Sequence, residues 1–336
     1  MARILVTGGA GYVGSVCCRQ LLDQGHDVIV IDDLSTGHAE AVPAGAALHR
    51  LDYGDRGGVA QLLRRNPVDA VFHFAARALI PESVSNPGFF FEVNVGAGIA
   101  FLETLRDFGI RRFVFSSSAA VYGNPESARI DESDPADPVN AYGETKLMLE
   151  RVLRWYASAY RWTVVVFRYF NACGATPDAG EDHRPETHII PLLLQTAARE
   201  RRYFEIYGDD YPTPDGTCVR DYVHVSDIAA AHLLALDGPA DPGMRVFNIG
   251  CGRGYSVLEV VRAAEAVTGE NIPVRRAARR AGDPAVLCAS PARLMRELGW
   301  QPRYSHLPDI IRSAWEWKQK RPLAYSTTVA EMEKSA

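Results

Sequence analysis

A short apolar run near the start of the chain leads directly into three evenly spaced glycines. Residues 4–7 are apolar and mostly β-branched, and Gly8, Gly11 and Gly14 separate them from a stretch with helical spacing. Glycines at these positions let a strand turn sharply into a helix and let backbone N–H groups reach a diphosphate at the helix N-terminus. The strand before the glycines and the helix after them therefore predict the first unit of a dinucleotide-binding fold.

The same alternation of apolar runs and helical windows continues through the first half of the chain. The predicted strands are residues 4–7, 28–31, 70–74, 112–116 and 163–168, and the predicted helices are residues 11–24, 56–65, 89–108 and 141–160. Strands that are buried on both faces of a parallel sheet are apolar along most of their length. We therefore expect an α/β fold with a doubly wound parallel Rossmann sheet and ligands at the carboxyl ends of its strands.

The composition changes after about residue 174, where connections become rich in Pro, Gly and Asp, as in residues 176–185 and 208–216. Such connections predict a smaller, mixed α/β subdomain that binds the substrate. We place a dinucleotide-binding Rossmann domain at residues 1–173 and a substrate-binding subdomain at residues 174–336. Residues 225–250 again read as a helix and a buried strand, and we expect them to rejoin the first domain.

Charge and cysteine usage exclude several classes of protein. The 336 residues include 36 lysines and arginines against 41 acidic residues, a net charge of −5, which argues against nucleic-acid and anionic-membrane binding. No apolar run approaches the roughly 20 residues of a membrane span. The six cysteines are scattered without a zinc spacing, and the histidines show no HExxH motif, so we expect free thiols, no metal and a cytoplasmic location.

The second predicted strand ends at Asp32, close to the position at which an acidic residue hydrogen-bonds the adenosine ribose of a dinucleotide. The next five residues, DLSTG at 33–37, contain no Lys or Arg that could receive a 2′-phosphate. The sequence therefore favours NAD over NADP. Asp52 follows another short strand and is a candidate for the adenine edge, although a solvated surface carboxylate would look the same.

A tyrosine and a lysine lie four residues apart at the start of a predicted helix, at Tyr142 and Lys146. Two unit charges about 4 Å apart at an effective dielectric near 20 interact by about 4 kcal/mol, or about three pKa units. We therefore expect Lys146 to lower the Tyr142 pKa so that the phenol acts as a general base. The strand before them ends in serines 116–118, one of which could complete a Ser/Tyr/Lys relay or make only local backbone bonds.

Seven motifs in this order give the chain a family resemblance. They are TGGAGYVG at residues 7–14, HFAA at 73–76, FSSSAAVYG at 115–123, YGETK at 142–146, RYFNACG at 168–174, VRDYVHV at 219–225 and RRAGD at 279–283. The chain resembles the extended short-chain dehydrogenase/reductase family, and within it the epimerases that invert C4 of UDP-glucose and UDP-galactose. The resemblance implies a bound NAD, a UDP-sugar substrate, a 4-keto intermediate, and a homodimer through the helices near residues 89–108 and 146–160.

The resemblance also implies roles for individual residues. The catalytic residues are Ser118, Tyr142 as the base, and Lys146. The cofactor-binding residues are Gly8, Gly11, Tyr12, Val13, Gly14, Asp32, Asp33, Leu34, Ser35, Thr36, Gly37, Asp52, Tyr53, Phe74, Ala75, Ala76, Asn94, Ser116, Tyr142, Lys146 and Tyr169. The substrate-binding residues are Ser118, Tyr142, Asn171, His188, Ile189, Tyr207, Arg220, Arg280, Asp283 and Leu287.

Other activities of the same family differ in how far the residues exclude them. Ala119 and Ala120 stand where 4,6-dehydratases of this kind carry Asp-Glu, which argues against dehydration. A decarboxylase acting on UDP-glucuronate, or a 4-epimerase acting on UDP-glucuronate, UDP-xylose or UDP-N-acetylglucosamine, stays open, as does a non-catalytic NAD-binding regulator. Leu287 has an intermediate size at the position that gates the C2 substituent of the sugar. Separately, Arg77 follows the HFAA motif at about the position where many relatives carry a lysine.

Overall fold

The computed structural model describes residues 1–238, 241–280, 283–321 and 325. Ala281 and Gly282 of the RRAGD motif lie outside the described residues. The strands are β1 Arg3–Thr7, β2 Asp27–Asp32, β3 Ala47–Arg50, β4 Ala70–His73, β5 Arg112–Ser118, β6 Thr163–Tyr169, β7 Asn171–Cys173, β8 Phe204–Tyr207, β9 Val219–His224, β10 Gly243–Ile249, β11 Gly254–Ser256, β12 Val274–Ala277 and β13 Val286–Leu287.

The α-helices are α1 Tyr12–Asp23, α2 Arg56–Arg65, α3 Ile80–Ser85, α4 Pro87–Phe90, α5 Ala97–Asp107, α6 Ala141–Tyr160, α7 Ile189–Ala197, α8 Val225–Asp237, α9 Val257–Thr268, α10 Ala292–Leu298 and α11 Leu307–Lys320. A π-helical segment, Phe91–Gly96, joins α4 to α5. The helix predicted at residues 89–108 is therefore divided in three, and the other predicted helices of the first half lie where they were expected.

Seven strands form a parallel sheet in the order β10-β6-β5-β4-β1-β2-β3. This arrangement confirms the predicted doubly wound Rossmann-type fold. The five strands predicted in the first half all belong to the sheet, and β10, from the segment expected to return, pairs with β6. The edge strand β3 is half-exposed and has no continuous apolar run, and it matches the short strand expected before Asp52.

Alternate residues of each central strand pack into two separate cores, one on each face of the sheet. Ile4 and Val6 face the core beneath α1 and α8, whereas Leu5 faces the core beneath α2, α5 and α6. All three side chains are fully buried. Burial on both faces explains why the strands read as continuous apolar runs rather than as alternating patterns.

The helical stretch Pro87–Asp107 is long and apolar enough by composition to cross a membrane, which the apolar runs of the sequence did not lead us to expect. Its side chains Phe101 and Leu105, like Leu149 and Leu153 of α6, are at most 3% exposed and pack on the sheet. The apolar character of this stretch therefore reflects the protein core, and these four residues are not a free seam for a second subunit.

The second half of the chain adds shorter strands beside the carboxyl end of the main sheet. Strand β7 follows β6 almost directly and pairs with β9, which also pairs with β11 and β13, while β12 pairs with β8. Helices α7, α9 and α11 pack together over a third core. The strand β7 thus brings the predicted substrate residues close to the ends of β5 and β6.

Candidate cofactor and catalytic site

Two of the three fingerprint glycines occupy positions that exclude any other residue. Gly8 has a φ of +72°, and a Cβ there would lie 2.6 Å from the amide nitrogen of Ala75. A Cβ on Gly14 would lie 2.2 Å from the carbonyl oxygen of Gly8. Gly11 has an ordinary extended backbone and more room, and it precedes the first turn of α1. The glycines therefore close the strand–helix turn against the segment after β4.

Gly9 lies between the fingerprint glycines and was not singled out from the sequence. A Cβ there would lie 2.7 Å from the side chain of Val30 on the neighbouring strand. Gly37, further along, is pressed in the same way against the backbone of Ala10. The predicted cofactor loop at residues 33–37 therefore rests directly on the glycine turn. Only the packing of neighbouring strands, which the sequence does not display, requires glycine at position 9.

The Asp32 side chain ends β2 and is buried against the glycine turn. One carboxylate oxygen accepts a hydrogen bond from the Ala10 N–H at 3.0 Å, and the other accepts one from the Leu34 N–H at 2.9 Å. Burial raises the pKa of Asp32, and these two N–H donors oppose the rise. Asp32 therefore holds the two predicted cofactor loops together, and each oxygen keeps a second lone pair for a ribose hydroxyl.

Several other predicted cofactor residues make contacts within the protein. The Tyr12 phenol is buried and donates to the carbonyl of Gly174, while Asp52 accepts from the Gly54 N–H at 2.7 Å. Tyr53 is 7% exposed, packs on the His73 ring, and hydrogen-bonds Val93. The Tyr53 side chain therefore belongs to the core beneath the sheet, and only its backbone borders the strand ends.

Asn94 ties the segment after β4 to the helix that carries the predicted base. Its carbonyl oxygen accepts from the Arg77 N–H at 2.8 Å, and its amide donates to the Arg77 carbonyl and to Thr145 Oγ1, both at 3.0 Å. Asn94 lies in the π-helical segment, a geometry often found at functional sites. The Arg77 guanidinium lies over the Phe89 ring. Asn94 thus acts on the site by positioning backbone around it.

The three predicted catalytic residues converge at the carboxyl end of β5 and the first turns of α6. The Ser118 hydroxyl is hydrogen-bonded to the Tyr142 phenol and accepts from the Ala120 N–H at 3.1 Å. The Lys146 ammonium lies 5.8 Å from the centre of the Tyr142 ring and donates to the Ser116 carbonyl at 2.8 Å. The structure therefore brings the serine, tyrosine and lysine together as the sequence predicts.

The Tyr142 pKa shifts in the direction opposite to the one predicted. Burial raises the Tyr142 pKa, and only the Ser118 hydrogen bond opposes the rise. Burial also lowers the pKa of Lys146 to about 7. The nearby carboxylate of Glu150 opposes this shift but does not cancel it. The expectation treated both groups as fixed charges and left out the cost of desolvating them, which the structure makes the larger effect.

A buried charged network lies directly behind these residues, and the sequence analysis missed it. Glu150, one turn after Lys146, forms two hydrogen bonds with Arg168 at 2.6 and 3.0 Å and accepts from Ser117 at 2.6 Å. Arg168 also donates to the Tyr122 phenol. A charged residue inside the apolar run of β6, with an acid four residues after Lys146, was the available signal. The network fixes β5, β6 and α6 relative to one another.

A second missed residue, His232, lies against the predicted nicotinamide neighbour Tyr169. The Tyr169 hydroxyl is 2.7 Å from His232 Nε2 and also hydrogen-bonds Ser116. The other His232 nitrogen lies 2.9 Å from the Ile228 carbonyl, and burial lowers the His232 pKa to about 4. The imidazole is therefore neutral and orients the phenol at the end of β6.

The predicted substrate residues of the second half form two pairs, one at β9 and one at the end of β8. Arg220 donates to the Pro284 carbonyl and lies 3.6 Å from Asp283, and Leu287 is its register partner on β13. The Arg280 guanidinium stacks on the Tyr207 ring at 3.9 Å. These are not the surface pairs that the sequence left open, because Arg220 is only 12% exposed and pairs with Asp283 rather than with Asp221.

Asn171 reaches the same region from β7 and donates to the Asp221 carbonyl at 2.8 Å. Asp221 is fully buried, and its carboxylate accepts from the N–H groups of Cys251, Gly252 and Ala289. Burial raises the Asp221 pKa to about 6, although these donors oppose the rise. Asp221 therefore holds the loops around Arg220 in place and is a structural residue that the motif VRDYVHV did not reveal.

His188 and Ile189 lie at the start of α7, where His188 is the residue that precedes the helix. The His188 Nδ1 atom lies 2.8 Å from both Glu181 Oε1 and Glu186 Oε1. Burial alone would lower the His188 pKa, but the two carboxylates raise it well above its usual value. The structure thus places the two predicted residues at a helix end next to an acidic pair that the sequence analysis did not identify.

The chain's own residues fit a dinucleotide. The turn at Gly8 and Gly14 leaves no space for side chains where a diphosphate would approach the N-terminus of α1, and Asp32 offers acceptor lone pairs one strand away. Ser118 ends β5, and Tyr142 and Lys146 lie in the first turns of α6. The residues present are therefore compatible with a dinucleotide that extends from the glycine turn to the end of β5.

Comparison with known proteins points the same way. The model of the NAD dependent epimerase/dehydratase family matches residues 4–250. A UDP-glucose 4-epimerase of Lacticaseibacillus casei is 48% identical over 323 residues, which cover 95% of this chain and 97% of that protein.

Solved structures extend the likeness to the fold. The UDP-glucose 4-epimerase of Brucella ovis in complex with NAD has a TM-score of 0.90 and 43% identity, over 94% of this chain and 98% of that one. The UDP-Glc/GlcNAc 4-epimerase of Campylobacter jejuni has a TM-score of 0.85 and 38% identity, over 95% of this chain and all of that one (100%).

Proposed function

Because the chain belongs to the NAD-dependent epimerase/dehydratase family, we propose that it inverts C4 of a UDP-hexose and interconverts UDP-glucose and UDP-galactose. NAD is the cofactor on which the family depends. The observation that carries the proposal is the convergence of Ser118, Tyr142 and Lys146 at the carboxyl end of β5. The full-length likeness to UDP-glucose 4-epimerases supports the choice of substrate.

In the proposed reaction Tyr142 removes the proton from the sugar O4, and Ser118 holds both the phenol and the O4 hydroxyl. NAD, held by the glycine turn and Asp32, would supply the acceptor and donor of the C4 hydride. Tyr142 returns the proton to O4 when the hydride is returned to the opposite face of the 4-keto sugar. Lys146 supplies positive charge beside the phenol. Because burial raises the Tyr142 pKa, the phenol needs a nearby positive charge in the reactive complex to lose its proton and act as a base. Burial lowers the pKa of Lys146 to about 7, so at neutral pH the lysine is present in both its charged and its neutral form.

The 4-keto sugar must rotate within the site while the nucleotide stays bound. Arg220 and Arg280 are suited to hold the UDP diphosphate, because guanidinium groups form strong paired hydrogen bonds with phosphate oxygens. His188 and Ile189 add contacts from the start of α7, and Asn171 from β7. The strong anchors therefore lie at the nucleotide end, and few polar groups constrain the hexose.

The identity of the hexose depends on a small number of side chains. Leu287, opposite Arg220 in the β13–β9 pair, is the proposed gate for the C2 substituent. Leucine is smaller than the tyrosine that excludes an N-acetyl group, and a similar solved enzyme is named for both UDP-glucose and its N-acetyl form. UDP-N-acetylglucosamine is therefore the alternative substrate of first interest, ahead of UDP-glucuronate and UDP-xylose. A purely regulatory NAD-binding role is disfavoured by the intact Ser118, Tyr142 and Lys146.

A homodimer and a cytoplasmic location complete the proposal. On the outer surface of α6, Trp155 is 75% exposed, and Ile99 of α5 is 38% exposed, so the apolar surface available for a partner lies on these residues. All six cysteines are free thiols in the structure, which suits a reducing compartment. Trp155→Glu should therefore shift the protein from dimer to monomer in sedimentation analysis, and an unchanged dimer would exclude this surface.

Conversion of UDP-galactose to UDP-glucose by the purified protein tests the activity. We expect turnover without added NAD, and a loss of at least about 10²-fold in kcat for Tyr142→Phe. UDP-glucuronate, UDP-xylose and UDP-N-acetylgalactosamine are assayed in parallel, with products resolved by chromatography.

Turnover of only one of the other sugars would keep the mechanism and change the substrate. Absence of turnover with every sugar, even with NAD added, would overturn the proposal and favour the regulator. Tyr160→Phe, a half-exposed tyrosine at the far end of the same helix, is the matched control and should retain activity.

A further inference from the structure

Four side chains between β7 and α7 point potential metal-binding atoms at one another. They are Glu181, His183, Glu186 and His188, which follow each other in the sequence as E-x-H-x-x-E-x-H. One donor atom from each residue lies within 4.8 Å of the other three. None of the four takes part in the proposed chemistry at C4, and only His188 was predicted to touch the substrate. The cluster therefore needs an explanation of its own.

The distances within the cluster match those of a small four-coordinate site. A tetrahedral zinc ion bound at 2.0–2.2 Å by nitrogen and oxygen ligands separates its donors by about 3.4 Å. Here His188 Nδ1 lies 2.8 Å from both glutamates, and His183 Nδ1 lies 3.2 Å from Glu181 and 4.0 Å from Glu186. The observed separations bracket the tetrahedral value, so a cation could enter with side-chain adjustments of a few tenths of an ångström.

Burial and hydrogen bonding also favour cation binding at this cluster. The side chains of Glu181 and Glu186 are only 6% and 7% exposed, and one carboxylate oxygen of each lies 2.8 Å from His188 Nδ1. The His183 side chain is 33% exposed, but its Nδ1 atom is buried and has no hydrogen-bond partner of acceptable geometry among the residues that the structure describes. The Glu181 carboxylate lies 3.2 Å from it. A divalent cation would displace the proton that His188 shares with the two carboxylates, balance their charges and give His183 Nδ1 a partner, with both imidazoles neutral.

We propose that Glu181, His183, Glu186 and His188 form a structural binding site for a divalent transition-metal ion, with zinc as the best fit. Two imidazole nitrogens and two carboxylate oxygens are ligands that zinc accepts, and four protein ligands leave no open position for catalysis. The histidine spacing led the sequence analysis to expect no metal. That expectation considered a helical HExxH motif, whereas here the ligands come from an extended loop.

The metal would order the segment that connects the two halves of the site. The His183 ring packs edge-on against Tyr12 in the glycine turn, and Tyr12 donates to the Gly174 carbonyl. Asp182, between the first two ligands, faces His38 at the end of the cofactor loop. Binding through His188 Nδ1 leaves its Nε2 atom free, so the same imidazole can still meet the nucleotide.

The test measures metal directly and does not depend on epimerase activity. Untagged wild-type protein, purified with zinc in the growth medium, is analysed for metal content by mass spectrometry. After chelator treatment, binding of Zn²⁺ is measured by calorimetry and binding of Co²⁺ by visible absorption, which reports tetrahedral coordination. We expect about one zinc ion per chain and an intense tetrahedral cobalt spectrum.

Two ligand variants and one control locate the site. His183→Gln and Glu186→Gln should each lower zinc affinity at least about tenfold and remove the tetrahedral cobalt bands. His306→Gln changes an exposed histidine that pairs with Asp309 at the start of α11 and should bind metal like the wild type. Circular dichroism checks that each variant is folded.

Wild-type protein without metal that also fails to bind Zn²⁺ after chelation would overturn the proposal. Metal binding that is equal in His183→Gln and in the wild type, or that is weak and lacks a tetrahedral cobalt spectrum, would equally overturn it, since both describe an adventitious ion only. None of these results bears on whether UDP-galactose is converted.

Discussion

The carboxyl edge of the main sheet and the loops that face it are built in opposite ways. At the edge, Lys146 and Glu150 are at most 3% exposed and are held by strands buried on both faces. In the facing loops Arg280 is exposed and stacks on Tyr207, and the Arg220 ion pair spans 3.6 Å. The difference matches the two tasks proposed for them. Proton and hydride transfer require fixed geometry, whereas a nucleotide must enter and leave between charged side chains.

If the carboxyl edge of the sheet is the more rigid of the two regions, the buried network of Glu150 and Arg168 should make the largest contribution to stability. Glu150→Gln should lower the free energy of unfolding by about 3–5 kcal/mol, because it leaves the buried Arg168 guanidinium without its carboxylate. Urea denaturation of the holoenzyme measures this loss. Glu144→Gln on the same helix loses only a half-exposed pair with Arg151 at 3.7 Å and should change stability by less than about 1 kcal/mol. Equal effects of the two variants would contradict the comparison.

Lys146 should matter for rate and not for folding. Because burial lowers the Lys146 pKa to about 7 in the folded protein, the unfolded chain binds a proton between about pH 10.4 and pH 7 that the folded protein does not. Stability therefore falls as the pH drops through this range, and the full cost of burying the ammonium is present below about pH 7. Lys146→Met should therefore leave the urea midpoint at pH 6 unchanged or higher, while kcat falls at least about 10²-fold. A variant that unfolds at low urea would show that the lysine is needed for folding instead.

The facing loops should control affinity and leave the chemical step alone. Arg280→Met should raise KM for the UDP-sugar about 10- to 100-fold, the range expected for losing one or two charge-assisted hydrogen bonds, with kcat within about threefold of the wild type. Arg276→Met, an exposed arginine of β12 that pairs with Asp209, is the control and should change neither constant. A fall in kcat for Arg280→Met with an unchanged KM would place this residue at the reacting end.

A smaller effect is expected for the dependence of stability on acid pH, to which the buried His232 beside Tyr169 contributes at the carboxyl edge of the sheet. Burial lowers the pKa of His232 to about 4, so the unfolded chain binds a proton below pH 6.5 that the folded protein does not. Stability therefore falls as the pH drops from 6.5 towards 4, by about 2 kcal/mol from this residue at pH 5. The loss of stability between pH 7 and pH 5 should shrink by about that amount in His232→Gln, measured by urea denaturation. An unchanged pH dependence would show that His232 does not stay neutral.

The part of the site that could be predicted depends on contacts close together in the sequence. Gly8 and Gly14 close one turn, and Tyr142 and Lys146 lie one helical turn apart, so their spacing already indicates their geometry. Arg168 and Glu150 are 18 residues apart on different elements, and His232 meets Tyr169 across 63 residues. These pairings need strand order and helix packing, which residue spacing alone does not encode.

The sign of the Tyr142 pKa shift shows the same limit. Spacing gave the distance to Lys146 but not the depth of burial, and burial decided the direction. Phe101 and Leu105 illustrate the same limit for packing. An apolar stripe on a helix can pack on the sheet or on a second subunit, and the sequence does not distinguish the two. The structure places both on the sheet.

The sequence by itself determined the α/β class, the Rossmann-type turn and the tyrosine–lysine pair, because strand periodicity and helical spacing are local properties of the chain. The tertiary structure alone decided which carboxylates are buried, which loops meet, and how Glu181, His183, Glu186 and His188 come to face one another. Their arrangement follows from the path of the loop between β7 and α7, and desolvation depends on everything packed around a group rather than on its neighbours in the chain.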